Sequence, residues 1–278
     1  VRGDIADERL IEELCREHRI DVVVHFAAFA YVGESVADPA RYYENNVAKS
    51  IALLSALRRA GVRCFVFSSS CATYGEPLGG GPLAETAPQN PINPYGRTKL
   101  MLERLLADYE RAYGLRSVSL RYFNAAGASE RHPLFEQHDP ETHLIPLAIA
   151  AALGTRTLEI FGNDYPTPDG TCIRDYVHVD DLAVAHARAV ERLRGEGSSL
   201  RANLGIGRGA SVIEIVESIE AAAGAKARHG FAPRRPGDPP ALVADPTLAR
   251  RELGWEPRYC DVDAIVASAI VGYRRAHP

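Results

Sequence analysis

The sequence contains a short apolar run that ends in three serines, Arg63-Cys-Phe-Val-Phe-Ser-Ser-Ser-Cys-Ala-Thr-Tyr-Gly75. Such a run is typical of a strand buried on both faces of a parallel sheet. A loop rich in glycine and proline follows, and Asn93-Pro-Tyr-Gly-Arg-Thr-Lys99 then opens a periodic apolar pattern. The prolines in and just before this second segment predict that a helix begins near Tyr95. Tyr95 and Lys99 are one helical turn apart, so their side chains share a face.

Tyr95 is a candidate for proton transfer. A free tyrosine hydroxyl has a pKa of about 10 and is a poor base at neutral pH. The ammonium group of Lys99 would stabilise the phenolate and lower that pKa. A tyrosine tuned in this way can take a proton from an alcohol while hydride leaves the same carbon, and Ser70 could relay the proton. A tyrosine and a lysine at this spacing can also be a chance surface pair, but the three serines upstream favour the catalytic interpretation.

Composition limits the class of protein. A chain of 278 residues can bury a full core, as one large α/β domain or two unequal ones. The formal net charge is −4 and the charges are interspersed, so we expect no nucleic-acid partner. No apolar run approaches the roughly 18–20 residues that span a bilayer, and no signal-peptide pattern opens the sequence. Five scattered cysteines indicate a reducing, cytoplasmic compartment.

Both motifs point to one family. Ser68–Gly75 and Asn93–Lys99 resemble segments of the extended short-chain dehydrogenase/reductase family, and within it the UDP-glucose 4-epimerases. The resemblance implies an α/β fold: a doubly wound parallel Rossmann-like sheet, incomplete at its N-terminus, followed by a smaller α/β substrate domain. It implies an NAD-binding domain over 1–125 and a UDP-sugar-binding domain over 126–278, with about 175–205 returning to the large domain. It also implies NAD as cofactor, a UDP-sugar as substrate and a homodimer.

The start of the chain departs from this pattern. A dinucleotide-binding fold needs a glycine-rich turn between its first strand and helix, where the backbone approaches the pyrophosphate. The chain opens instead at Arg2-Gly3-Asp4-Ile5, which resembles the segment after the third strand of the family. We therefore expect the first two βα units to be absent, by truncation or in the natural product. Whether the chain alone holds NAD stays open.

The resemblance assigns cofactor contacts along the first half of the chain. A helix is predicted over Asp7–His18, a strand over Asp21–Ala28 and a further helix from Tyr42 to about Arg59. Asn45, in the last of these, matches a contact on the nicotinamide side, although it could also be a plain surface amide. The full implied set of cofactor-binding residues is Asp4, Ile5, Phe26, Ala27, Ala28, Asn45, Ser68, Tyr95, Lys99 and Phe123.

Substrate contacts are implied mainly in the second half. The planar fork of an arginine suits a diphosphate, and Asp238 would bind the ribose hydroxyls. Leu242 matches the position that lines the 2-substituent of the sugar, where leucine does not decide between glucose and N-acetylglucosamine. The implied substrate-binding residues are Ser70, Asn124, His143, Leu144, Arg174, Arg235, Asp238 and Leu242. His132, His138, His143 and His178 fit no helical spacing of metal ligands, and we predict no metal site.

The expected activity is NAD-dependent interconversion of UDP-glucose and UDP-galactose through a 4-keto sugar, with Tyr95, Lys99 and Ser70 as catalytic residues. An epimerase for UDP-GlcNAc or a UDP-pentose is the alternative on substrate. The 4,6-dehydratases of the same family place an acid and a base where this chain has Cys71-Ala72. A non-catalytic protein that binds nucleotide sugars is the alternative of another class; the retained Tyr95, Lys99 and Ser70 count against it.

Overall fold

The computed structural model describes residues 1–77, 81–195, 197–235 and 238–277. These residues form two compact units: 1–75 with 86–121 and 186–202, and 76–85 with 122–185 and 203–278. The helices are α1 Glu8–Glu17, α2 Val32–Ala37, α3 Pro39–Tyr42, α4 Lys49–Ala60, α5 Pro94–Tyr113, α6 Leu144–Ala152, α7 Val179–Arg194, α8 Val212–Ala223, α9 Thr247–Leu253 and α10 Val262–Ala276. The strands are β1 Val22–His25, β2 Cys64–Ser70, β3 Arg116–Tyr122, β4 Asn124–Ala126, β5 Leu158–Phe161, β6 Ile173–His178, β7 Leu200–Leu204, β8 Gly209–Ser211, β9 His229–Ala232 and β10 Ala241–Leu242.

The first unit is built on a sheet with the strand order β1-β2-β3-β7. Strands β1 and β2 pair in parallel, with Val22 opposite Cys64. Every residue of β2 is buried, as expected of a central strand in a parallel sheet. Helices α1, α4 and α5 contribute to the core beside β2, which includes Leu54, Phe65 and Leu102. The predicted Rossmann-like α/β fold is confirmed.

Helix α5 begins where the sequence predicted. The side chain of Asn93 caps it by accepting the backbone N–H of Gly96 at 2.8 Å, and Pro94 occupies the first turn, where no N–H is needed. The helix ends at Gly114, which has φ 68° and so adopts the left-handed conformation that closes many helices. These local signals fix the helix that carries Tyr95.

Two of the elements predicted from the sequence differ from the structure. The strand predicted over Asp21–Ala28 ends at His25. The helix predicted from Tyr42 is interrupted by a π-helix over Tyr43–Ala48, where Asn46 bonds both backbone polar groups of Phe29. Helix α6 begins only at Leu144, because the Glu141 carboxylate accepts the two backbone N–H groups that follow it.

The second unit contains strands in the order β10-β6-β4, with β8 antiparallel to β6, and a separate parallel pair of β5 and β9. Helices α6, α8 and α10 enclose its apolar core with β4, β5 and β6. Asp175, in β6, is buried and accepts backbone N–H groups from Ile206, Gly207 and Ala244 at 2.8–3.1 Å. These bonds fix the strand on which Arg174 lies. Among the described residues of the whole chain, no helix has the length and apolarity that a membrane span requires.

Candidate active site and nucleotide site

Tyr95 lies at the start of α5, close to the turn that follows β2. Its backbone N–H donates to Ser35 Oγ at 3.2 Å, and the residue is 9% exposed. The neighbouring Gly96 packs directly on the backbone of that turn: a Cβ added there would lie 2.3 Å from the carbonyl oxygen of Ala72. Only glycine permits this approach. Sequence analysis did not assign a role to Gly96, although it stands beside the predicted catalytic tyrosine.

Lys99 provides a buried positive charge one turn along the same helix. Its side chain is 5% exposed, and Nζ donates to the backbone oxygen of Ser68 at 2.8 Å. Nζ lies 5.6 Å from the ring centroid of Tyr95 and 5.0 Å from that of Phe67. Burial lowers the pKa of Lys99 from 10.5 to about 8, so the amine is still largely protonated at pH 7. The predicted pairing of an ammonium group with the tyrosine is therefore present.

Ser70 closes strand β2 and begins the turn that Gly96 contacts. Its Oγ accepts the backbone N–H of Ala72 at 3.1 Å, and its backbone oxygen accepts the hydroxyl of Thr73 at 3.0 Å. Because Oγ is an acceptor in this bond, the Ser70 hydroxyl proton can be donated to another group. Ser70 is buried, and its orientation is fixed by the turn.

A buried ion pair that the sequence did not reveal supports this strand end. Glu103 and Arg121 are each 2% exposed and form two hydrogen bonds, of 2.9 and 2.6 Å. Glu103 Oε1 also accepts Ser69 Oγ at 2.6 Å, and Arg121 donates to the Tyr74 hydroxyl at 2.8 Å. Burial alone would raise the pKa of Glu103, but the hydrogen bond and charge of Arg121, together with the bonds from Ser69 and Gln89, keep that pKa below its usual range. The pair thus holds the residues on both sides of Ser70.

The predicted cofactor contacts of the first unit lie at the carboxyl end of β1 and near the chain start. Phe26 is 61% exposed, and its ring lies 4.7 Å from that of His186. Ala27 is also exposed, and Ser68 Oγ lies 3.1 Å from His186 Nε2. An uncovered apolar surface at the carboxyl end of a parallel strand is where an α/β sheet binds its ligand. The family resemblance places Phe26 and Ala27 under the pyrophosphate and ribose of the cofactor, and these roles stay predictions.

The remaining predicted cofactor contacts are more dispersed. Asp4, which precedes Ile5 in the sequence, forms an ion pair with Lys49 at 2.6 Å. Ala28 is half-buried. Asn45 is half-buried and donates to the side chain of its neighbour at 3.1 Å. That neighbour, Asn46, is the buried amide, and it also donates to Thr98 of α5 at 3.2 Å. The sequence signal for Asn46 is the tandem Asn45-Asn46, of which the analysis selected the first.

The second unit contains the predicted nucleotide contacts. Arg174 NH2 forms a short ion pair with Asp238 Oδ1, and its NH1 donates to a backbone oxygen at 2.7 Å. Leu242 of β10 lies opposite Arg174 in the sheet register. The Arg235 guanidinium lies 4.1 Å from the ring centroid of Phe161, an aromatic residue that sequence analysis did not single out. An arginine paired with a partly exposed carboxylate suits a phosphate ester of a diol, and the contact of Arg235 with the diphosphate stays a prediction.

Four more predicted residues complete this unit. Asn124 Nδ2 donates to the Asp175 backbone oxygen at 2.8 Å, and Phe123 is buried, with its N–H bonded to the Leu204 oxygen. His143 precedes α6 and contacts Glu136 through Nδ1. Leu144 opens α6 and packs on the core of the second unit. The roles assigned to these residues stay predictions.

Comparison with known proteins identifies the family. Residues 1–205 match the model of the "NAD dependent epimerase/dehydratase family". The chain is 53% identical over 269 residues to a UDP-glucose 4-epimerase of Rhizobium meliloti, covering 96% of this chain and 81% of that protein. It is 54% identical to the UDP-glucose 4-epimerase of Brucella ovis crystallised with NAD, with a TM-score of 0.94 over 98% of this chain and 84% of that one. The UDP-glucose-4-epimerase of Stenotrophomonas maltophila, with bound NAD and formylated UDP-arabinopyranose, is 42% identical, with a TM-score of 0.95 over 99% and 82%. The chain belongs to the NAD dependent epimerase/dehydratase family.

Proposed function

We propose that the protein is an NAD-dependent UDP-sugar 4-epimerase that interconverts UDP-glucose and UDP-galactose. The observation that carries this proposal is the buried Lys99 ammonium beside the Tyr95 ring, at the strand end formed by Ser68 and Ser70. The high identity to UDP-glucose 4-epimerases over almost the whole chain supports the same activity. A protein that only bound nucleotide sugars would have no use for a buried lysine beside a tyrosine. Neither alternative substrate class nor a purely binding role is favoured by these relatives.

The chain's own residues move the proton. Tyr95, as phenolate, takes the proton of the sugar 4-hydroxyl, either directly or through Ser70, and later returns it to the 4-oxygen. The charge of Lys99 stabilises that phenolate. NAD, when bound, supplies the acceptor and later the donor of the hydride on the same carbon. Phe26 and Ala27 would lie under its pyrophosphate and ribose, and the Ser68 hydroxyl is a further residue that would contact it.

The second unit binds the nucleotide in this proposal. Arg174 and Arg235 supply positive charge for the diphosphate, while Asp238 accepts hydrogen bonds from the ribose. Because the nucleotide contacts are separate from the reacting sugar, the 4-keto sugar can rotate and present its other face while the nucleotide stays bound. Asn124 is held by β6 and contributes an amide to the same ligand.

A coupled assay for UDP-glucose formed from UDP-galactose tests the function. We expect turnover by the NAD-loaded protein and a loss of roughly 10²–10⁴-fold in kcat for Tyr95→Phe, which keeps the ring but not the proton. UDP-GlcNAc, assayed in parallel, reports on the substrate alternative. Absence of turnover with every UDP-sugar, together with retained UDP binding, would favour the binding protein instead.

We also propose a cytoplasmic homodimer that associates through α4 and α5. Both helices present apolar side chains to solvent in the first unit, Ile51 on α4 and Met101 on α5, each 41% exposed. The family resemblance places the dimer contact on these helices, and their exposed apolar side chains are available to it. Light scattering should give twice the chain mass, and Met101→Glu should shift the protein towards the monomer. A wild-type monomer at micromolar concentration would contradict this assembly.

A further inference from the structure

Glu136 lies beside the histidine that the family resemblance assigns to the nucleotide. Its Oε1 contacts His143 Nδ1 and lies 3.2 Å from Nδ1 of His138. The two imidazole rings meet edge to face, with centroids 4.9 Å apart. One carboxylate oxygen therefore faces the Nδ1 atoms of both histidines.

A second carboxylate lies on the same side of His143. Glu141 Oε1 accepts the backbone N–H groups of Thr142 and His143 at 2.8 Å each, which fixes its position. That oxygen is 3.7 Å from His143 Nδ1, and Oε2 is 3.6 Å from His138 Nδ1. The nearby positive charge of Arg235 acts against protonation of His143. Glu136, Glu141 and Arg235 are the charged groups around this imidazole, and the His138 ring is the other titratable neighbour.

The arrangement determines which atom of His143 can meet a ligand. A carboxylate that accepts Nδ1–H fixes the ring orientation and leaves Nε2 for another partner. The hydrogen bond to Glu136 outweighs burial and Arg235 and raises the pKa of His143 above its ordinary value of 6.5. A protonated ring then presents Nε2–H as a charged donor.

We propose that Glu136 is a positioning residue that keeps His143 protonated, so that His143 joins Arg174 and Arg235 as a third cation for the diphosphate of the nucleotide sugar. This inference rests on the proposed function, since it assigns how the nucleotide site of that function is charged. If the proposal holds, the affinity for UDP falls as the pH rises through the pKa of His143. Replacing Glu136 then shifts this loss of affinity to lower pH.

Calorimetric titration with UDP between pH 5.5 and 9 tests the proposal on the intact chain. We expect Glu136→Gln to bind UDP about tenfold more weakly at pH 7, because a charge-assisted hydrogen bond is lost. The matched control is Glu130→Gln, which removes a carboxylate that pairs with Arg258 at 3.1 Å in the same connecting segment. The control should bind UDP with wild-type affinity. Thermal unfolding of both variants checks that each is folded.

Nuclear magnetic resonance titration of the His143 ring gives a second readout that is independent of catalysis. We expect the pKa of His143 to fall in Glu136→Gln and to stay unchanged in Glu130→Gln. Wild-type affinity and an unshifted His143 titration in Glu136→Gln would overturn the proposal. Binding of Zn²⁺ by the UDP-free chain that requires Glu136 and blocks UDP would also overturn it, because the cluster would then be a metal site. If the wild-type chain binds no UDP at any pH, the proposed function is contradicted. If the wild-type chain turns over UDP-sugars and Glu136→Gln binds UDP with wild-type affinity, only the role of Glu136 is contradicted.

Discussion

Two ion pairs of the molecule, each between an arginine and a carboxylate, differ in how deeply they are buried. Arg121 and Glu103, in the first unit, are each 2% exposed, and Ser69, Tyr74 and Gln89 are among their other hydrogen-bond partners. Arg174 and Asp238, in the second unit, are 11% and 27% exposed. The charged groups of the first pair are therefore bonded to protein groups rather than to water. The second pair keeps part of its surface for a ligand.

This difference in burial suits one pair to holding the fold and the other to binding a ligand. A buried pair is costly to break, because the remaining charge has no water, and this makes it suitable for holding a strand end rigid. A partly exposed pair can exchange its carboxylate partner for a phosphate at little cost, since water screens the intermediate state. We therefore expect substitutions in the first unit to affect folding and turnover, and substitutions in the second to affect nucleotide affinity.

The largest expected effect is that of Arg121→Gln. Glu103 would be left buried without its counter-charge, and the free energy of unfolding should fall by about 3–5 kcal/mol. Arg174→Gln is the matched substitution in the partly exposed pair and should cost less, because Asp238 keeps contact with water. Urea unfolding of both variants measures the contrast. Equal losses would show that burial does not distinguish the two pairs.

Gly96→Ala should reduce kcat by about 10²-fold, because the added methyl group forces Tyr95 away from the turn that follows Ser70. The control is Gly33→Ala, in α2, where an added Cβ meets no atom within 4 Å. Steady-state kinetics of both variants test whether the backbone contact sets the position of the tyrosine. A fully active Gly96→Ala variant would refute that view.

Lys99→Met should abolish turnover and stabilise the fold. The pKa of Lys99 is lowered from 10.5 to about 8, so the unfolded chain binds more protons between these values and wild-type stability rises with pH there. Below pH 8 Lys99 is charged in the folded chain, and burying that charge lowers the free energy of unfolding by its full amount. Allowing for the lost bond to Ser68, the variant should gain about 2 kcal/mol at pH 7. Unfolding measured at pH 7 and pH 10 should show the gain shrinking as the pH rises; a less stable variant at pH 7 contradicts this account.

The smallest effect is expected for Arg174→Lys. Lysine keeps the charge but lacks the planar fork of donors, so UDP binding should weaken about tenfold with little change in unfolding free energy. Arg250→Lys, in an exposed pair with Glu256, is the control and should change neither quantity. Calorimetry with UDP measures the difference. A large loss of stability in Arg174→Lys would mean that this pair, too, is structural.

What the sequence revealed depends on distance along the chain. Strand β2 and helix α5 were predicted because apolar runs, prolines and the Asn93 cap are local signals. The Glu103–Arg121 pair was not predicted, because its two members are far apart in sequence. They meet each other and their partners Ser69, Tyr74 and Gln89 only after the strands and helices have packed. The buried position of Asn46, within the π-helix, was missed for the same reason, since its side chain bonds the backbone of Phe29.

The grouping at Glu136 and His143 shows a similar limit. The histidine spacings predicted no helical metal site, yet a connection without regular structure brings two imidazoles and two carboxylates within 4.8 Å of one another. Periodicity describes helices and strands and carries no information on such a segment. Family resemblance selected His143 but not the carboxylates that surround it.

The bond from Lys99 to the Ser68 backbone oxygen has an evolutionary consequence. Every residue type supplies a carbonyl, so any small side chain that fits the buried strand at position 68 leaves the ammonium beside Tyr95 in place. The Ser68 hydroxyl pairs with His186 and carries the cofactor contact that the family resemblance implies. Selection therefore acts on the ligand contact and on the charge beside Tyr95 through different atoms of one residue.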